Sequence, residues 1–129
     1  MILRNQYLVD IALTGKRLDE RKADEFRKVI IEKNPIEKPE GSALVKIGTT
    51  QVMAGVKLDV KVPFPDAQNE GILMVGAELS PLASPEFERG PPTEDSIELA
   101  RVVDRAIRES HAIDLEKLCI TKGEKVWVV

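Results

Sequence analysis

The stretch "GSALVKIGTTQVMAGVKLDVKVP", residues 41–63, constrains the fold of this chain more than any other. Two runs, 42–47 and 51–62, flank the short turn "GTT" (48–50), the pattern of a β-hairpin. In the second run Val56, Leu58, Val60 and Val62 alternate with Lys57, Asp59 and Lys61. A period of two sends one face of that strand to a core and the other to water.

The segments on either side carry their own signals. Leu3, Tyr7, Leu8, Ile11 and Ala12 fit one helical stripe over residues 2–14, and Gly15 sits where a helix-terminating glycine belongs. The charged run 16–27 is irregular, a first strand is expected near 27–32, and Pro35 ends it. After a loop at 63–71, "ILMVGAEL" (72–79) is apolar but for Glu78, so a strand covered on both faces is expected. The loop 80–92 holds four of the eight prolines. Thr93 then reads as the N-cap of a long helix, with Glu94 and Asp95 complementing its first turn. Strands follow at 117–121 and from Lys125, and the chain stops on "VWVV", which needs neighbours on both faces and edges.

Composition narrows the function classes. At 129 residues and 43% hydrophobic, the chain has enough apolar material for one domain with a real core, built from Val, Ile, Leu and Ala because aromatics are only 4%. A net charge of −3 argues against a wholly basic nucleic-acid binder, so an anion site must be a local cluster or be completed by a partner. The 32% of charged residues is a composition associated with thermophile proteins. One cysteine, Cys119, excludes an internal disulfide framework and a Cys-based zinc site, and in "KLCITK" it reads as a small buried hydrophobe. No apolar run is long enough to span a membrane and "MILRNQYLVD" lacks a signal-peptide core, so a cytoplasmic protein is expected.

Catalytic signals are thin. The single histidine, His111, falls just past the long helix and reads as a helix-end residue rather than a base. Nucleophile-elbow, P-loop and dinucleotide motifs are missing, and no His or Cys cluster offers metal-ligand spacing. What stands out is "TEDSIELARVVDRAIRES" (93–110). Its apolar positions Leu99, Val102, Val103, Ala106 and Ile107 share one broad sector, while Arg101, Arg105 and Arg108 lie opposite, within about 60° of one another. Asp104–Arg108 and Arg105–Glu109 are favourable i,i+4 pairs, and Arg101–Arg105 is a weakly unfavourable like pair. Periodicity alone favours a solvated, ion-paired face. The use of arginine without lysine keeps open an anion or partner contact, because the planar fork suits phosphate.

"GKRLDERKADEFR", "GSALVKIGTTQVMAGVK" and "ERGPPTEDSIELARVVDRAIRES", in that order and spacing, resemble the RNase PH family over most of Gly15–Val129. The likeness is to the noncatalytic RNase PH-like subunit of the archaeal exosome. It implies an α+β fold, a mixed sheet with helices on one side. It also makes residues 1–129 the N-terminal portion of a single domain that continues beyond Val129. Active family members use inorganic phosphate to cleave RNA from its 3′ end, and carry an arginine-rich segment before the long helix. Here that segment is "PEFERGPPTED", with Arg89 alone, which points to the noncatalytic type.

The resemblance therefore implies a subunit with no catalytic residues, cofactor or metal of its own, in which inorganic phosphate belongs to the partner's active site. Its expected partners are a catalytic RNase PH-like paralogue in a hetero-hexameric ring, RNA-binding cap subunits and single-stranded RNA, with no membrane. The positions it marks for RNA phosphates are Arg101 and Arg105. Arg108 is a less secure contributor, and Arg17 and Arg21 are expected to be structural. An active phosphorolytic exoribonuclease, or a small assembly module without RNA contact, are the competing readings.

Overall fold

The computed structural model describes residues 2–129, with side chains considered from Asn5 onward. Backbone packing divides it into two compact units, Met1–Gly55 and Val56–Val129.

In the first unit, helix α1 (Ile2–Leu13) ends where its glycine signal stands. Gly15 has φ +74°, a left-handed turn that costs glycine nothing, and its N–H bonds the carbonyl of Ala12 at 3.0 Å. Strands β1 (Val29–Lys33), β2 (Gly41–Ile47) and β3 (Thr50–Val56) form a sheet in that order, so the hairpin lies where the turn "GTT" predicts it. β1 and β2 are antiparallel, with Val29 opposite Ile47 and Lys33 opposite Ala43. Lys46 reaches diagonally across them to Glu32 at 2.7 Å.

The charged run 16–27 has a defined shape. The Arg17 guanidinium donates to the Ala23 carbonyl at 2.7 Å, and Arg21 donates to the Glu25 carbonyl and to Asp19, each at 2.6 Å. Those arginines hold a loop together, in line with the structural role expected of them. The Arg21 guanidinium beside Asp19 holds that carboxyl below its ordinary range.

The second unit is built around its last strand. β4 (Asp59–Lys61), β5 (Cys119–Thr121) and β6 (Lys125–Val128) make a sheet ordered β4-β6-β5, antiparallel throughout. β4 occupies one edge of β6. Along the other edge β5 pairs first, and Ile72 then continues the row as a parallel bridge to Val128. The Ile72 N–H bonds the Trp127 carbonyl and the Val129 N–H bonds the Ile72 carbonyl, both at 2.9 Å. Val126 is fully buried, and with Val128 and Ile72 it forms the buried hydrophobic cluster, against which Cys119 packs half-buried. The apolar "VWVV" thus has partners on both edges.

Four expectations are corrected. The run 51–62 is not one strand but two, β3 and β4, broken at Lys57–Leu58 and placed in different sheets. Its alternation does not mark a buried face either, since Val56, Leu58, Val60 and Val62 are all exposed. The run 72–79 pairs only at its start, where the Met74 N–H bonds the Val129 carbonyl at 2.9 Å; from 75 to 79 no strand lies beside it among the described residues. Lastly, the buried hydrophobic core among the described residues is three residues, while Val29, Ile31, Val52, Met53 and many others stay exposed. The apolar pattern is present, but among the described residues most of it is left exposed instead of forming a core.

Candidate functional site

Helix α2 (Glu94–Glu109) begins at Thr93, whose hydroxyl accepts from the Ser96 N–H at 3.3 Å while the Ser96 hydroxyl returns a bond to the Thr93 carbonyl at 2.8 Å. This reciprocal cap, with Glu94 and Asp95 in the first turn, fixes the helix start from local chemistry alone. At the other end His111 takes a left-handed backbone, φ +51°, and its N–H bonds the Arg108 carbonyl at 3.3 Å. His111 terminates the helix and is exposed, as a helix-end residue should be.

The helix does not rest on the sector expected of it. Ser96 is buried and Ala100, Asp104 and Ile107 are half-buried, while Leu99, Val102 and Ala106 are exposed. The covered ridge lies about 90° around the helix from the centre of the apolar stripe. The arginine row therefore borders this ridge instead of opposing it. Arg101, Asp104 and Arg105 line an open trough with the extended segment Val75, Gly76 and Ala77 and with Pro92.

The three arginines differ in what already holds them. Arg108 is clamped: its Nη2 donates to Asp104 Oδ1 at 2.9 Å and its Nε to Asp104 Oδ2 at 3.1 Å, with a longer 3.4 Å bond from Nη2 to the Leu73 carbonyl. The Arg108 guanidinium holds the Asp104 carboxyl below its ordinary range, and the carboxylate in turn raises Arg108. Arg105 makes one short bond, Nε to Glu109 Oε1 at 2.6 Å, between side chains that are 77% and 64% exposed. Arg101 is exposed and makes no hydrogen bond or ion pair among the described residues. Arg89, the only arginine of the preceding loop, is likewise exposed.

The sequence named this row but not its ranking. i,i+4 spacing foretold both ion pairs, whereas the 35-residue reach of Arg108 to Leu73 leaves no local signal. Chemically, an uncommitted guanidinium next to a weakly committed one can hold a doubly liganded or a bridging anion. Among the described residues no group of three or more His, Cys, Asp or Glu is placed to hold a metal ion. Nor is any of their helices long and apolar enough to cross a membrane.

Comparison with known proteins shows the family of the chain. Residues 25–129 match the RNase PH family, described as the 3′ exoribonuclease family, domain 1. The chain is 58% identical over 127 residues to the exosome complex component Rrp42 of Archaeoglobus fulgidus, and 56% identical to that of Methanosarcina mazei. Each alignment covers 98% of this chain but 49% and 48% of the relative, so the chain spans about half the length of the curated relatives it matches. Among solved structures, a chain of the Archaeoglobus fulgidus exosome with RNA bound to the active site superposes with a TM-score of 0.93 at 58% identity, over 98% of this chain and 50% of that one. An archaeal exosome core chain gives 0.83 at 51% identity, over 98% and 47%. An α+β arrangement of capped helices and antiparallel sheets, a motif match across most of its length and this superposition lead to one assignment: the chain belongs to the RNase PH family.

Proposed function

We propose that this chain is part of a noncatalytic, RNA-binding subunit of an archaeal exosome, acting in 3′-to-5′ phosphorolytic degradation. Its catalytic partner is an RNase PH-like paralogue alternating with it in a hetero-hexameric ring that also carries RNA-binding cap subunits. Arg101 and Arg105 hold backbone phosphates of single-stranded RNA, a positioning role without sequence readout. The attacking inorganic phosphate and the acid–base groups belong to the partner, and the assembly works in the cytoplasm.

The observation that carries the reading is an exposed arginine with no partner among the described residues, Arg101, one helical turn from another, in a chain similar to exosome components. A lone exposed cation is unremarkable, but two arginines four residues apart on one face start from Cβ atoms about 6 Å apart. That spacing suits consecutive phosphates of a strand running beside the helix.

The test is the full-length protein reconstituted with its catalytic paralogue, carrying Arg101→Ala and Arg105→Ala together. RNA affinity and phosphorolysis should both drop, about tenfold or more at low salt, from the loss of two charge-assisted contacts. Unchanged affinity and rate remove the RNA role. Nucleoside diphosphate release by the full-length protein alone shows instead that it is itself an active exoribonuclease.

A further inference from the structure

The acidic residues of α2 treat the three arginines unequally, and this inequality has a consequence for how RNA is held. Asp104 stands three residues after Arg101 and four before Arg108, so it could pair with either. In the structure both of its oxygens are taken by Arg108. Asp104 is only 29% exposed, so breaking that pair would leave a half-buried carboxylate without its cation. Arg108 is thereby committed to Asp104, and Arg101 is left unpaired among the described residues.

Glu109 holds Arg105 by a different kind of contact. A single N–H meets a single oxygen, and both side chains stand mostly in water. Exposed pairs of this kind are weak, whereas a phosphate offers the guanidinium fork two parallel bonds and releases counterions.

We infer that Glu109 is a latch on Arg105, which opens when RNA phosphate displaces its carboxylate. Asp104 is a lock that keeps Arg108 out of the RNA contact. Arg101 is then the standing phosphate ligand, Arg105 the conditional one, and Glu109 the residue that sets how strongly the pair engages. This inference rests on the reading of Arg101 and Arg105 as RNA ligands.

The experiment measures binding of a labelled single-stranded oligoadenylate to the full-length protein assembled with its catalytic paralogue, at low salt. Glu109→Gln should tighten binding about twofold, the size of an exposed i,i+4 pair. That gain should vanish in an Arg105→Ala background, while an Arg101→Ala background should retain it. An equal gain with and without Arg105 means that only a negative charge was removed, and overturns the latch. No gain, with Arg101→Ala and Arg105→Ala still weakening binding, overturns the latch and leaves the site standing. If neither arginine substitution affects binding, both fall together.

Discussion

Strand β6 and helix α2 satisfy their chemistry in opposite ways. β6 is apolar, and the fold supplies it with β4 on one edge, β5 and Ile72 on the other, and burial for Val126 and Val128. Its backbone is paired on both edges and Val126 and Val128 point into the core, while Lys125 and Trp127 stay exposed on the other face. α2 is completed by local rules, a reciprocal Thr93–Ser96 cap and i,i+4 ion pairs, and buries one narrow ridge. Its arginines stay at the surface with unequal commitments. Where internal partners are complete the role is structural; where a side chain keeps unspent bonding capacity, contact with something else becomes possible.

The contrast can be broken at either end. Val126→Asp, which places an unpaired charge at the fully buried position of β6, should cost about 4 kcal/mol or more and abolish cooperative melting of the full-length protein. A near-normal melting curve would mean that β6 does not organise its unit. Thr93→Ala removes only the cap of α2 and should cost about 1 kcal/mol, read as a lower denaturant midpoint with an unchanged slope. A loss as large as that of Val126→Asp would mean that α2 supports the fold as strongly as β6 does.

The smallest effect concerns acid. The folded-state pKa of Asp104 is depressed by Arg108, so the pair stabilises the fold above the unfolded carboxylate range, about pH 4, and is lost as pH falls through the lower folded value. Asp104→Asn should therefore flatten the acid limb of the stability profile slightly and leave the neutral region with a small constant loss. An unchanged acid limb would count against the clamp.

How much of this was legible in the sequence depends on whether the determinant was local. The hairpin turn, which is one residue shorter than the expected 48–50 because Thr50 already belongs to β3, the Thr93 cap, the glycine stop at Gly15 and both i,i+4 pairs are set by residues within a few positions of each other. The break at Lys57–Leu58 is not local. A period of two continues through it, and nothing in an alternating pattern says which strand will be the neighbour. The same holds for 72–79, a largely apolar run of which only the first residues find β6. For the arginine row, spacing gave the face. The difference between a clamped Arg108 and an uncommitted Arg101 came from a carboxylate choosing between two neighbours, with the Leu73 carbonyl beside one of them.

The central claim is that Arg101 and Arg105 each hold an RNA phosphate, and the salt dependence of binding tests it most directly. Each arginine–phosphate contact on a single strand contributes about 0.7 to the slope of log affinity against log salt. The full-length protein in its assembly should therefore bind oligoadenylate with a slope about 1.4 steeper than the Arg101→Ala, Arg105→Ala double variant. Equal slopes for the two proteins would contradict the account.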